Sequence, residues 1–447
     1  MTEYAFVLGS NWLLSIAELL TYVQDRGYKA SLVNHSRNAA ILDIGQDLDF
    51  DQIVDMQSAL GGCFKTAKVI WRYPMEAVAQ AYPDRGGGNK KALRDFSQVP
   101  WAKQVWPRVR GYRIKFGVST YPVVSGKGEG VNYRRFTRGM DDYTKKRLLE
   151  SGAKRADYIV YDKPDRRVAD RLNVALWPKV IASNNLLSPP NAEILAIFTE
   201  KTLYMAKTLI IYDSMLQRYR DESRPFVSAE ISTSPKVCRT LLTLSGARPG
   251  DKVLDPFCGT GTLLMEAAIQ GMKCIGVDID GNQVQGAKSN LKWLGRDLGQ
   301  HLDFSIFRGD SRQLSSIINT TVDAVAFEPQ LGPLYAKKPG REEAEESVSE
   351  LTVLYRDVLT EVAKILRPNG RVAMTLPVVN TRDGQVTVDT RKMLVGTGLG
   401  IYRLLPEKMI RRDQAVDDQL KIRPEREQLP ERKMGQKVQR SIIVLEK

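Results

Sequence analysis

Four acidic residues close short apolar runs in the C-terminal half of the chain: Asp255 in KVLDPF, Asp278 in KCIGVDID, Asp310 in FRGD, and Glu328 directly after DAVAF. Runs of this length that end at Gly or Pro suit strands covered on both faces. Pro329 cannot donate a ladder hydrogen bond, so pairing should stop at Glu328. In an open α/β sheet the carboxyl ends of the strands line the crevice where ligands bind, so these four carboxylates are the candidate chemical groups.

The run LDPFCGTGTLL puts Gly259 and Gly261 between a strand and a helix, where backbone can approach a ligand closely and helix-terminal N–H groups face it. A dinucleotide fingerprint would carry a third glycine where Leu264 stands, and Asp255-Pro256 occupies the strand end instead. That combination favours S-adenosylmethionine over NAD. Gly259 and Gly261 would admit the methionine part, Asp278 would accept both ribose hydroxyls, and Asp310 would face the adenine amine. Pro256, Phe257, Thr262, Ile279 and Ser311 flank these positions. Upstream, ISTSPKVCRTLL opens a helix with Ser234 as N-cap and Pro235 at its first position, able to cover the open side of the site. Glu328 suits a different task. The lone pair of an exocyclic amine is delocalised into its ring and attacks a methyl sulfonium poorly unless acceptors take its N–H bonds. A carboxylate at the strand end does this and stabilises the positive charge that develops.

The elements that position these groups follow a regular strand and helix alternation from Arg224 onward. VSELTVLYRDVLTEVAKIL carries one apolar stripe of Leu351, Leu354, Val358, Val362 and Ile365. A doubly wound sheet is expected there, with the terminal VQRSIIVLEK returning to its edge. The front of the chain reads differently. YAFVLG is strand-like, Ser15 and Glu18 fit a capping box, and the helix should stop at Gly27. With AAILDIG and FDQIVDMQSALGG this makes a small α+β unit over residues 1–66. A second unit, residues 67–203, holds a flexible YPDRGGGNKK, a strand GYRIKFGVSTY, a turn SGKGEG, a helix RGMDDYTKKRLLESG and further strands ADYIVYD, VALWPKVIAS and AEILAIFT. Residues 204–223 read as a linker, and 224–447 as the Rossmann-like domain.

With 447 residues the chain exceeds the roughly 250–300 at which a single core stops growing, consistent with several domains. No apolar run reaches the roughly 20 residues that span a bilayer, and the amino end has no basic stretch ahead of its apolar one, so a cytoplasmic protein is expected. Cys63, Cys238, Cys258 and Cys274 are widely spaced, and the two histidines, His35 and His301, form no ligand pattern, which argues against a zinc site or disulfide framework. The formal net charge is +14. Residues 85–155 hold eighteen Lys and Arg against five Asp and Glu, a net +13, so most of the excess is concentrated in one segment. Such a field points to a polyanion. Arg134, Arg135, Arg138, Lys145 and Lys146 beside Tyr133 and Phe136 mix cations with flat rings as RNA contacts require.

DPFCGTGTLLMEAA, the preceding RPF and STSPKVCRTLLTLSG, and the acidic-Pro step after the fourth strand resemble the THUMP-domain tRNA guanine-N2 methyltransferases of archaea and eukaryotes. FVLGSNWLLSIAEL is similar to their ferredoxin-like unit, and KFGVSTY with the basic helix to the THUMP fold. The resemblance implies methyl transfer to guanine N2 of tRNA, of the position 10 type, with tRNA and a small activator subunit as the partners it allows. Where the family has Asp-Pro-Pro-Tyr, this chain has Glu328, Pro329, Gln330 and Leu331: Gln330 replaces the second proline and Leu331 the stacking aromatic, a task for which Tyr335 is the nearby substitute. Two further readings stay open, an RNA-binding protein that keeps the cofactor fold without turnover, and an adenine N6 methyltransferase on RNA or DNA.

Overall fold

The computed structural model describes residues 2–124, 130–160, 175–227, 233–410, 415–432 and 435–447. The SGKGEG turn before Gly130, the end of ADYIVYD, the first residues of ISTSP and parts of the C-terminal tail lie outside them. Among the described residues no helix is long and apolar enough to cross a membrane.

Two sheets carry the described residues. The first joins β1 (Thr2–Leu8), β2 (Ala30–His35), β3 (Ala39–Ile44), β4 (Cys63–Pro74), β5 (Arg113–Tyr121), β6 (Arg155–Tyr158), β7 (Ala192–Phe198) and β8 (Thr202–Ile211) in the order β2-β3-β1-β4-β8-β7-β5-β6. Two expected boundaries are corrected here. Thr66 lies inside β4, which pairs β1 on one side and β8 on the other, so the first two units share one sheet. The proposed linker begins within β8, and only the helix Ser214–Ser223 connects onward. VALWPKVIAS is not a strand: Pro178 has no N–H for a ladder and instead starts the helix Pro178–Ser183. Ser15 and Glu18 form no capping box, because the helix Trp12–Asp25 starts four residues earlier, with Asn11 at the N-cap position. Buried Glu18 instead accepts the N–H groups of Gly61 (2.7 Å) and Gly62 (2.8 Å). Gly61 is required there, since a Cβ would sit 1.9 Å from the Lys236 carbonyl.

The second sheet has nine strands: β9 (Lys252–Asp255), β10 (Lys273–Asp278), β11 (Phe304–Arg308), β12 (Val322–Phe327), β13 (Leu366–Thr381), β14 (Gly384–Thr387), β15 (Gly400–Ile401), β16 (Gln428–Glu431) and β17 (Val438–Glu446). Its main order is β11-β10-β9-β12-β13-β17-β15, parallel from β11 through β13. The strand order reverses between β9 and β12, which makes that junction the topological switch point. The C-terminal strand does not sit at an edge. β17 runs antiparallel to β13 over nine residue pairs and carries β15 and β16 on its other side. The helix Arg341–Ile365 buries Leu351, Val358, Val362 and Ile365 of the expected stripe against this sheet. One core runs through both halves, packing the helix Trp12–Asp25 against the helix Pro235–Leu244.

Candidate functional site

β12 ends at Phe327, whose last ladder partner is Met374, and the chain leaves the sheet at Glu328 as the following proline requires. The Glu328 carboxylate is held from three directions. Arg440 of β17 donates Nε to Oε2 (2.5 Å) and Nη2 to Oε1 (2.9 Å), a bidentate fork. The hydroxyl of Thr233 donates to Oε1 (3.0 Å) and that of Thr375 to Oε2 (3.4 Å). Both ion-pair partners are mostly buried, with side chains 12% and 17% exposed. Burial works against the Arg440 charge, but the hydrogen bonds and charge of Glu328 outweigh it and raise its pKa above the ordinary value. Reading the motif alone missed Arg440, Thr233 and Thr375. Their signals are an arginine opening the apolar run SIIVL, one of three hydroxyls in STSP and the single hydroxyl in VAMTLP. After Pro329, Gln330 is exposed and its carbonyl accepts the Tyr355 hydroxyl, while Leu331 is half-buried. Tyr335 does not stand out as a stacking ring: it packs against the core beneath the helix Arg341–Ile365.

On the other side of the switch point, buried Asp255 accepts the Phe257 N–H (3.0 Å). Burial pushes its pKa up to about 8; the Phe257 N–H lowers it, and the charges of Asp278 and Glu328 raise it. The last two causes put three of the four acidic groups in one electrostatic neighbourhood. Asp278 receives Gly259 N–H on Oδ2 and Asp280 N–H on Oδ1, both at 2.9 Å. Asp310 caps a short turn and is forked by the Arg312 guanidinium, which holds its carboxyl below the usual range. The carboxylate expected to face an adenine amine thus already has a cationic partner. Ser311 donates its hydroxyl to the Pro256 carbonyl, tying the ends of β9 and β11 together. Phe257 stacks on Phe327 at 5.6 Å, and Thr262 accepts from Arg224 (2.8 Å). Ser234 precedes the helix Pro235–Leu244 without a side-chain capping bond.

The basic helix, Tyr133–Glu150, stands on the first sheet. Arg134, Arg135, Arg138 and Lys146 are exposed, and half-buried Lys145 lies 5.7 Å from the centre of the Tyr158 ring. Arg135 donates to the Gly86 carbonyl (3.1 Å), and Lys146 lies 3.9 Å from Glu150. The expected mixing of cations and rings on one surface is corrected: Tyr133 and Phe136 turn inward onto Phe198, at 4.7 and 5.1 Å, because helical spacing puts them on the apolar face with Met140 and Leu148. All four cysteines are buried and free.

A glycine loop at the first strand end, carboxylates at the next, and a reversed strand order between β9 and β12 define a Rossmann-like methyltransferase. An RMKL-like methyltransferase domain matches residues 222–381, which include Glu328, and a DNA methylase family matches residues 65–289, half of the chain, ending before it. The tRNA (guanine(10)-N2)-dimethyltransferase of Methanothermobacter thermautotrophicus is 33% identical over 181 residues, 40% of this chain and 49% of that protein. A probable tRNA (guanine(10)-N2)-dimethyltransferase of Methanothermococcus thermolithotrophicus is 36% identical over 112 residues, 24% of this chain and 67% of that protein. The crystal structure of TrmN from Thermus thermophilus matches with TM-score 0.50 and 16% identity, covering 100% of this chain and 99% of that one. The chain belongs to the methyltransferases these matches describe, and within them to the tRNA (guanine-N2) methyltransferase family. It spans about half the length of the first curated relative it matches.

The cofactor of this class is S-adenosylmethionine, and the residues present fit it. Gly259 has φ +49° and a Cβ there would meet nothing within 4 Å, so its loop borders open space. Gly261 has φ +81°, and a Cβ would press on Ala287 at 3.1 Å, so the loop is shaped by glycine at both points. Ile279, 68% exposed, offers an apolar face beside Asp278 against which a ring can lie.

Proposed function

We propose that this protein methylates the N2 amine of a guanine in tRNA, with Glu328 receiving the amine. The observation that carries the reading is the position of the Glu328 carboxylate at the switch point, close enough to Asp255 to raise its pKa. Bound S-adenosylmethionine supplies a methyl group on a sulfonium. The remaining work belongs to the chain. Asp278 and the Gly259–Gly261 loop orient the nucleoside and methionine parts. Glu328 accepts the amine N–H, directs its lone pair at the methyl carbon, stabilises the charge that appears as the N–C bond forms and the methyl–sulfur bond breaks, and takes the proton that the methylated amine sheds. Thr233 and Thr375 fix the carboxylate without charge of their own, and Arg440 fixes its plane. Gln330 and Leu331 take the positions of the second proline and the aromatic of the resembled motif, leaving base contact to the surrounding backbone and to apolar packing.

The first sheet supports tRNA as the substrate, through the exposed cations of Tyr133–Glu150, and we read its two parts as ferredoxin-like and THUMP-like units. The names of the relatives favour guanine 10. The Arg440 fork favours a second reading, an RNA-binding protein without turnover, because it occupies the acceptor oxygens. The test is nucleoside mass spectrometry of unmodified tRNA incubated with labelled cofactor. Wild-type protein should yield N2-methylguanosine, and Glu328→Gln should lower the rate by about 10²-fold or more while cofactor and tRNA affinities change little. Full activity in Glu328→Gln removes Glu328 as acceptor. Absence of any methylated nucleoside, even with a partner subunit added, leaves the RNA-binding reading.

A further inference from the structure

Arg440 faces two ways. On one side its Nε and Nη2 hold Glu328; on the other it lines a cavity of about 320 Å³ between the β13–β14 and β16–β17 hairpins, within the roughly 300–1,000 Å³ of small-ligand sites. Arg426 and Arg432 line the same cavity, both exposed, and among the described residues neither has an ion-pair partner. Glu427 on the wall offsets one of these charges. The third nitrogen of Arg440, Nη1, stands 3.7 Å from Glu431 Oε2, too far for a hydrogen bond, and that buried oxygen has no hydrogen-bond partner. Three guanidiniums therefore border one polar cavity, and Arg440, held between the Glu328 and Glu431 carboxylates, links that cavity to the candidate acceptor. Arginine forks match phosphate oxygens two at a time.

We propose that this cavity seats the phosphate of the target nucleotide, with Arg426 and Arg432 supplying its charge and Arg440 turning part of its fork from Glu328 to the phosphate as the base enters. The proposal rests on the reading of Glu328 as amine acceptor. It accounts for how that carboxylate can be clamped in the free protein and yet accept an amine: an incoming phosphate competes for the clamp and releases an oxygen lone pair. A nucleoside without phosphate leaves the clamp closed.

The test is calorimetric binding of guanosine 5′-monophosphate, guanosine and inorganic phosphate to the full chain in the presence of S-adenosylhomocysteine. The monophosphate should bind at least about tenfold more tightly than guanosine, and more tightly than phosphate alone. In the Arg426→Gln/Arg432→Gln double variant, whose substituted residues are exposed, the advantage should fall to near unity, and kcat/KM for tRNA should fall because the clamp on Glu328 is no longer released. Equal affinities for nucleotide and nucleoside in the wild type would overturn the subsite, as would an advantage that survives in the double variant. Because binding is read without turnover, the two failures separate. An active Glu328→Gln with the phosphate advantage intact overturns the acceptor role alone. An inactive Glu328→Gln with no phosphate advantage overturns the subsite alone.

Discussion

The two ends of the crevice are held by contacts of different range. On the cofactor side each carboxylate is held by the chain two residues on, Asp255 by Phe257 N–H, Asp278 by Asp280 N–H and Asp310 by Arg312, and Asp278 also takes the Gly259 N–H of the adjoining glycine loop. On the acceptor side Glu328 is held by Arg440, Thr233 and Thr375, which lie 112, 95 and 47 residues away. Turn contacts of the first kind complete themselves where a strand stops. The acceptor side is complete only when the C-terminal strand has docked on β13 and Thr233, just ahead of the helix Pro235–Leu244, has reached the carboxylate. The difference assigns the two ends separate sensitivities: the cofactor side answers to its own turns, the acceptor side to the assembly of the whole sheet.

The largest effect should come from cutting the long-range side. Arg440→Met keeps the unbranched stem of the side chain but leaves the Glu328 charge mostly buried with, among the described residues, two hydroxyl donors. Removing one partner of a buried pair typically costs about 3–5 kcal/mol, and a loss near the lower end is expected in urea unfolding because both groups retain some exposure. Adding Glu328→Gln to Arg440→Met should recover much of it, since no orphaned charge remains. A loss no greater than that of an ordinary surface substitution would show that Glu328 does not depend on β17.

The local side should respond in binding rather than in folding. Asp278→Ala removes acceptors for the Gly259 and Asp280 N–H groups and the group expected to hold the ribose, so cofactor affinity should fall by about 1.5–3 kcal/mol in calorimetry. The glycine loop is held additionally by Gly261 against Ala287 and by the Cys258 N–H to Val277 carbonyl bond (3.0 Å), so global stability should change less than in Arg440→Met. Unchanged affinity would move the cofactor away from the end of β10.

The same distinction of range explains what was legible in the amino-acid sequence. Asp255, Asp278, Asp310 and the Gly259–Gly261 loop could be located because strand-end residues and turn glycines carry their signals within a few positions, as could the end of β12 at Pro329. The Arg440 fork could not, because nothing in VQRSIIVLEK says which strand it will pair with; a neighbour on β13 brings Arg440 to Glu328, whereas a docking site at the sheet edge would not. The sheet shared by the first two units escaped for the same reason. β4 runs across the expected boundary at Thr66, and its pairing with β8, more than 120 residues on, is a property of the assembled fold. Helix Pro178–Ser183 was missed on local grounds, since β-favouring residues surround a proline that acts as a helix start.

The smallest effect separates the two ends by charge. The pKa of Asp255 is raised to about 8 by burial, above the ordinary carboxylate range, so over roughly pH 4–8 the folded protein holds a proton that the unfolded chain has released. A group of this sign contributes stability that is whole below its unfolded pKa and is lost as pH rises through the window, with a slope of at most about 1.4 kcal/mol per pH unit. Asp255→Asn keeps an oxygen for the Phe257 N–H but cannot titrate, so unfolding free energy measured between about pH 6 and pH 8 should fall less steeply than in the wild type. Glu18 and Asp141, whose burial raises them to about 7 and about 8, are present in both proteins and cancel in the comparison. A flatter profile in the variant means that Asp255 enters the crevice as a neutral donor beside the ion-paired Glu328, leaving the charge that an amine would meet on the acceptor side alone. Identical profiles would mean that Asp255 is ionised in the folded protein, and the two carboxylates would then face the crevice as equals.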